Sequence, residues 1–183
     1  MKNICFLGSG TWGTALAVLC YNNGHNVTIW SKFSEEVEML RSKRELVGRL
    51  PGLKISEEIH IEDNLEKACT NQDIIVFAVP SPFVRETAKS ANPFIQQDQI
   101  IVNVGKGIEE KTLMTLCEII EQEIPQADVA VLSGPSHAEE VCKGIPTTVV
   151  VGAHTEITAK LIQDVFMSSC FRVYINPDII GIE

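Results

Sequence analysis

Three short stretches of the sequence combine glycine with polar or charged side chains in a way that suits phosphate binding. They are residues 8–13 (GSGTWG), 105–109 (GKGIE) and 133–138 (SGPSHA). Glycine lets a backbone N–H approach an anion closely, while lysine and serine side chains add a charge and a hydroxyl donor. Each stretch follows a short apolar run, so we expect all three at the ends of buried strands, where open α/β sheets bind ligands.

The first stretch has the spacing Gly8-x-Gly10-x-x-Gly13, directly after a predicted strand and before a helix of small residues. In this context Gly8 permits a tight turn, Gly10 lets the backbone approach a pyrophosphate, and Gly13 lets the helix pack against the strand. The helix N-terminus adds unpaired N–H groups and a partial positive charge. The motif predicts a dinucleotide site, and the alternative is a purely structural turn.

The end of the second predicted strand bears on which dinucleotide binds. Sites that prefer NAD often place Asp or Glu about 20 residues after the glycines. Here the strand ends in Trp30-Ser31-Lys32-Phe33, with no acid before Glu35. Ser31 and Lys32 could bind a 2′-phosphate, and Phe33 completes the set of candidate cofactor contacts. NADP(H) is therefore favoured and NAD(H) remains possible, since Lys32 could simply be solvated.

Two further strand ends carry candidate site residues. One strand runs into Pro80-Ser81-Pro82, a rigid turn that could lie against the cofactor or merely connect a strand to a helix. Another runs into Lys106, which lies between two glycines and so has little side-chain cover. Its ammonium could point into a cleft, and the alternative is an exposed loop lysine.

The hydrophobic pattern predicts an α/β fold. Short, nearly continuous apolar runs are typical of strands buried on both faces of a parallel sheet; they occupy residues 4–7, 27–30, 74–79, 100–104, 129–132, 147–151 and 171–175. Helical patterns alternate with them, at residues 12–22, 35–46, 82–91, 112–123, 136–143 and 155–168. This alternation indicates a Rossmann-like, doubly wound and mostly parallel sheet. Residues 48–57 read as an irregular loop.

Composition excludes several functional classes. The 183-residue chain has a net charge of −9, which disfavours nucleic-acid binding, and no apolar run long enough for membrane insertion. Its first residues indicate a strand and not a signal peptide, so we expect a cytoplasmic protein. The six cysteines form no CxxC pair and no Cys/His cluster. We therefore expect buried, reduced thiols and no metal site.

Taken together, the motifs resemble one family over the whole chain. The stretches GSGTWGTALA, FAVPS, KGIE, LSGPSHAEEV, GIPT and FRVY…NPDIIGIE are similar, in that order and at similar spacing, to the bacterial NAD(P)-dependent sn-glycerol-3-phosphate dehydrogenases. The resemblance implies reversible reduction of dihydroxyacetone phosphate, a triose phosphate, to sn-glycerol 3-phosphate, a phospholipid precursor.

The resemblance also implies roles for individual residues. It places Thr11, Trp12 and Ala138 at the cofactor, with Lys32 near the adenine ribose. It implies that Gly134 and Ser136 bind the substrate and that Lys106 contacts both the cofactor and the substrate. The family commonly has another residue at His137, so that histidine receives no role. A ketone that accepts hydride develops negative charge on its oxygen, which a cation such as Lys106 would stabilise.

The chain departs from the family pattern after Glu183, where the family continues into a helical domain that carries the general acid/base lysine. We therefore expect residues 1–176 to form the NAD(P)-binding domain, residues 177–183 to begin the connection, and the 183-residue chain alone to be inactive. A homodimer of the full-length protein is compatible with the resemblance. The alternatives are a non-catalytic NADP(H)-binding module or a domain of a 6-phosphogluconate or 3-hydroxyacid dehydrogenase.

Overall fold

A computed structural model describes residues 1–183, and its centre is a sheet of eight strands. In chain order the strands are β1 Asn3–Leu7, β2 Asn26–Trp30, β3 His60–Glu62, β4 Ile74–Phe77, β5 Ile100–Asn103, β6 Asp128–Ser133, β7 Thr147–Ala153 and β8 Phe171–Ile175. The seven strands predicted from apolar runs are all present, with bounds within two residues of the prediction.

Eight helices connect or flank these strands. They are α1 Thr11–Asn22, α2 Ser34–Lys43, α3 Leu65–Cys69, α4 Val84–Ala91, α5 Leu116–Glu123, α6 Ala138–Cys142, α7 Glu156–Phe166 and α8 Ile179–Ile182. The helix predicted at residues 112–123 begins later, because Thr115 and Glu118 form a capping box that fixes its start. The helix predicted from residue 35 to 46 ends at Lys43, since the backbone of Arg44 adopts the left-handed conformation, with φ 49°.

Two other predicted helices are also shorter than expected. The segment predicted at residues 82–91 starts with a 3-10 turn, Ser81–Phe83, before α4. The segment predicted at residues 136–143 contains only the five residues of α6. Strand β3 and helix α3 were not predicted, because three and five residues are too few for a periodic pattern.

The strand order is β3-β2-β1-β4-β5-β6-β7-β8, and the first six strands along the chain run parallel. Strand β7 is antiparallel to β6 and parallel to β8. The expected doubly wound, mostly parallel sheet is thus confirmed. Strand β1 lies between β2 and β4, with Leu7 opposite both Trp30 and Phe77. The loops after these strands therefore meet at one edge.

Each face of the sheet carries its own hydrophobic core. In β1, Ile4 and Phe6 belong to a cluster of 33 buried residues that also takes side chains from α1, α2, α6 and α7. Cys5 and Leu7 point the other way, into a cluster of 19 that includes residues of α3, α4 and α5. Removal of these apolar side chains from water fixes the three-layer arrangement and hence the positions of the loops.

All six cysteines are free thiols, and four of them, Cys5, Cys20, Cys69 and Cys117, are buried as predicted. The other two are only half-buried, and Cys170 lies just before β8 and not within it. None of the helices combines the length and the apolar character required to span a membrane.

Candidate functional site

The turn between β1 and α1 contains the glycine motif, and each glycine meets a different environment. Gly8 has φ +122°, and a methyl group there would lie 2.7 Å from the Ala78 carbonyl oxygen. A methyl group at Gly13 would lie 2.7 Å from the Gly8 carbonyl oxygen, so α1 packs directly on the turn. At Gly10 a methyl group would meet nothing within 4 Å. Gly8 and Gly13 are therefore required by packing, whereas Gly10 keeps the cleft side of the turn clear.

Helix α1 begins at this open position. Gly10 is its N-cap, no side chain caps the helix, and no acidic residue lies in its first turn. The first N–H groups of a helix have no partner within the helix. A 12-residue helix that presents them beside a glycine fits the pyrophosphate of a dinucleotide.

An open cleft of about 1080 Å³ extends from this turn across the ends of β1, β2, β4 and β5 to the loop after β6. Most of the predicted cofactor and substrate residues line it, namely Gly8, Gly10, Thr11, Trp12, Ser31, Lys32, Phe33, Pro80, Lys106, Ser136 and Ala138. Gly13 lies beneath the turn, in contact with Gly8 and Ala78. The structure thus brings together residues that are up to 130 positions apart in the sequence.

At the far side of the cleft, Lys106 joins two loops. Its ammonium donates to the hydroxyl of Ser133 across 3.0 Å and to the carbonyl oxygen of Gly134 across 2.9 Å. Gly134 does not line the cleft, but the second hydrogen bond connects it to Lys106, which does. Ser133 belongs to the polar stretch 133–138 of the sequence, but no role was predicted for it individually.

The loop that carries Lys106 is held at both ends. At its start, the Gly105 N–H donates to the Asn103 side-chain oxygen across 3.0 Å. At its end, Arg85 donates to both carboxylate oxygens of Glu109, each across 2.7 Å. These hydrogen bonds from Arg85, with one from Thr112, lower the pKa of Glu109 to about 2. Arg85 and Asn103 are positioning residues that no sequence motif marked.

The stretch before α6 differs from the prediction in its helical extent. Helix α6 begins at Ala138, so Ser136 lies in the loop, where its hydroxyl donates to the Gly134 carbonyl oxygen across 3.3 Å. His137 is the N-cap, is exposed and makes no capping hydrogen bond through its side chain. The helix predicted to begin at residue 136 therefore begins two residues later.

The other end of the cleft contains a carboxylate that the sequence analysis missed. Glu36, in the first turn of α2, accepts hydrogen bonds from the hydroxyls of Ser9 and Ser31 and from Arg49. Burial alone would raise the pKa of Glu36, but these hydrogen bonds together hold it below its ordinary value. No acid precedes Glu35 after the strand end, as the sequence shows, but α2 folds the next residue, Glu36, back onto Ser31.

The two residues on which the preference for NADP(H) rests, Ser31 and Lys32, both interact with carboxylates of this chain. Ser31 is 3% exposed and donates to Glu36 across 2.9 Å. Lys32 forms an ion pair with Glu86 across 2.7 Å, and both side chains are exposed. Phe33 is also exposed, at 64%. At this end of the cleft, Lys32 is thus paired with Glu86, and Arg49 is paired with Glu36.

A glycine turn without a side-chain cap, at the point where β1 is flanked by β2 and β4, defines a dinucleotide-binding domain of the Rossmann type. Residues 3–159 match the family model described as the N-terminus of NAD-dependent glycerol-3-phosphate dehydrogenase. The chain belongs to this family and corresponds to its N-terminal NAD-binding domain.

Individual relatives agree with this assignment. Glycerol-3-phosphate dehydrogenase (NAD(P)+) of Agathobacter rectalis is 52% identical over 183 residues, which is all of this chain and 54% of the relative. The corresponding protein of Fusobacterium nucleatum is 51% identical, over all of this chain and 55% of the relative. The crystal structure of glycerol-3-phosphate dehydrogenase from Coxiella burnetii superimposes with a TM-score of 0.93 at 30% identity, over 98% of this chain and 55% of that one. The chain thus spans about half the length of these relatives.

Proposed function

We propose that the full-length protein catalyses the reversible, NAD(P)(H)-dependent reduction of dihydroxyacetone phosphate to sn-glycerol 3-phosphate, and so feeds glycerophospholipid synthesis. The observation that carries this proposal is the position of Lys106. Its ammonium lies in the same cleft as the open glycine turn and is held by Ser133 and Gly134. When bound, the nicotinamide supplies hydride chemistry, and the residues of this chain bind and orient the reactants.

In this proposal the glycine turn and the first turn of α1, with Thr11 and Trp12, hold the pyrophosphate end of the cofactor. Pro80 and Ala138 contact it from the neighbouring loops. The ribose end lies at Ser31, Lys32 and Phe33. Both nicotinamide cofactors belong to the proposal, and the preference for NADP(H) stays a prediction from Ser31 and Lys32 alone.

Lys106 serves the substrate in two ways. Its charge stabilises the negative charge that develops on the carbonyl oxygen, and its side chain fixes the loop of Gly134 and Ser136. Ser136 lines the cleft and offers its hydroxyl to the triose phosphate, while Gly134, behind it, would add a backbone N–H.

The proton of this reaction needs a donor that residues 1–183 are not expected to supply. We place it in the half of the full-length protein that follows residues 1–176, with residues 177–183 as the start of the connection. It follows that the 183-residue chain binds cofactor without turnover.

The test compares two lysine variants of the full-length protein, assayed by oxidation of NADH or NADPH with dihydroxyacetone phosphate. Lys106→Met removes the proposed stabilising charge and is expected to lower kcat about a hundredfold or more. Lys160→Met is the matched control, because Lys160 lies exposed on α7, outside the cleft. Equal activity of the two variants would contradict the role of Lys106.

A further inference from the structure

Glu36 lies in the cleft beside Ser31, the residue that follows β2, yet it comes from a helix and not from a strand end. Its carboxylate accepts from Ser9, the residue between Gly8 and Gly10, and from Ser31, the first residue after β2. Because Leu7 and Trp30 are paired at the ends of β1 and β2, Ser9 and Ser31 lie on the two sides of the space between these strand ends, which we call the fork. The carboxylate is therefore fixed in that fork.

Dinucleotide-binding sheets commonly place an acid at the end of the second strand, where it accepts hydrogen bonds from the ribose hydroxyls. In this chain Ser31 and Lys32 follow the strand, and Glu36 reaches the same fork from the first turn of α2. Its side chain is 18% exposed, so one part is buried against the serines while another faces the cleft.

The charges around this fork are balanced before any ligand binds. Glu36 pairs with Arg49 across 2.8 Å, and Glu86 pairs with Lys32 across 2.7 Å. No other lysine or arginine lines the cleft at this end. A 2′-phosphate would therefore meet two carboxylates, and it would have to draw Lys32 and Arg49 away from their partners. A ribose with free hydroxyls can donate to Glu36 and leave both pairs intact.

We propose that Glu36 is a specificity-determining residue that makes this site favour NAD(H) over NADP(H). The inference rests on the proposed function, since it requires the cleft to bind a nicotinamide dinucleotide. It reverses the preference expected from Ser31 and Lys32, because Glu36 engages Ser31 and neutralises Arg49. Ser9 and Ser31 act as positioning residues that keep the carboxylate in the fork.

The test is a titration of the full-length protein with NADH and with NADPH, followed by quenching of the tryptophans that line the cleft, Trp12 and Trp30. The unaltered protein is expected to bind NADH more tightly. In Glu36→Gln the amide keeps an oxygen for the serines, loses the negative charge and frees Arg49. The ratio of the Kd for NADPH to the Kd for NADH should then fall about tenfold or more.

Glu35→Gln is the matched control, since Glu35 is the exposed neighbour that does not line the cleft. It removes the same net charge and should leave the ratio unchanged. An equal shift in both variants, or no shift in Glu36→Gln, overturns the inference while the proposed function stands. Tighter binding of NADPH than NADH by the unaltered protein overturns it without any variant. Binding of neither cofactor overturns the proposed function and, with it, this inference.

Discussion

The ammonium of Lys106 and the carbonyl oxygen of Gly134 are 2.9 Å apart, and this hydrogen bond joins the loop after β5 to the loop after β6. The two residues are 28 positions apart in the sequence, so only the pairing of β5 with β6 brings them together. The Ser136 hydroxyl donates to the same carbonyl oxygen. Lys106, Gly134 and Ser136 thus form one connected unit at the edge of the cleft.

Valine substitutions at Gly10 and at Gly13 should have different effects, the first on cofactor binding and the second on stability. Gly10→Val places a side chain in the open space of the cleft, with a backbone that other residues adopt (φ −66°), so the fold should be unaffected. The Kd for NADH should rise about tenfold or more, because the side chain takes the place of the pyrophosphate. Titration followed by tryptophan fluorescence measures this effect.

Gly13→Val provides the contrast. Its Cβ would lie 2.7 Å from the Gly8 carbonyl oxygen, so the free energy of unfolding in urea should fall by about 1–3 kcal/mol. A Gly10→Val variant that is as unstable as Gly13→Val and binds NADH normally would contradict the roles given to these two glycines.

Arg85 should affect turnover without affecting cofactor affinity. It holds Glu109, three residues after Lys106, and does not line the cleft. Arg85→Met frees the end of the Lys106 loop, so kcat of the full-length protein should fall about ten- to a hundredfold, while the Kd for NADH stays unchanged. Lys89→Met, on the same helix but paired only with Glu123, should leave both values unaltered. A parallel loss of cofactor affinity in Arg85→Met would show a general defect of the fold instead.

The Arg85–Glu109 pair also predicts a pH dependence of stability. Arg85 lowers the pKa of Glu109 from 4.5 to about 2 in the folded protein. A carboxylate with a lowered pKa stabilises the fold above the ordinary value, and this contribution is lost as the pH falls from 4.5 towards 2. In urea unfolding, the difference between the unaltered protein and Glu109→Gln should therefore be larger at pH 7 than at pH 3.

Glu110→Gln is the control for this pH experiment, because Glu110 is an exposed neighbour with no ion pair to Arg85. Its stability difference should not change between the two pH values. If Glu110→Gln and Glu109→Gln behave alike, the Arg85 pair does not contribute in the way described.

The cysteines should separate into two groups by reactivity. Burial raises the pKa of the Cys69 thiol to about 12 and also raises those of Cys5, Cys20 and Cys117. These four should resist a thiol-specific chromogenic reagent such as a dithiobis(nitrobenzoate) in the native chain. The half-buried Cys142 and Cys170 are accessible to the reagent and should react, although burial and Glu139 also raise the pKa of Cys142. All six should react in denaturant. Fast modification of more than two thiols in the native chain would contradict the described packing.

Much of the fold could be predicted from the sequence because the apolar runs are long enough to show their pattern. Strands such as Ile74–Phe77 are buried on both faces and therefore continuously apolar. Strand β3 could not be predicted, since its three residues include His60 and Glu62 and it lies at the sheet edge. The predicted start of α5 is too early because the capping box of Thr115 and Glu118, and not the hydrophobic periodicity, sets where the helix begins.

The candidate site was predictable where a motif is local and unpredictable where the tertiary fold assembles it. The glycine turn is read from six consecutive residues. Gly8 and Gly13 form the tight turn and the close packing expected of them, and the approach of a pyrophosphate at Gly10 stays a prediction. Glu36 was missed because its relation to Ser9, 27 positions away, exists only once α2 folds against the end of β1. The same holds for Arg85 and Glu109, which are 24 positions apart and joined by the packing of α4 beside the Lys106 loop.

The proposed function is tested most directly by the rate at which the full-length protein oxidises NADH or NADPH with dihydroxyacetone phosphate, compared with the rate with unphosphorylated dihydroxyacetone. We expect rapid oxidation with the phosphorylated ketone, little with the unphosphorylated one, and none when residues 1–183 are assayed alone. Equal rates with both ketones, or turnover by residues 1–183 alone, would contradict it.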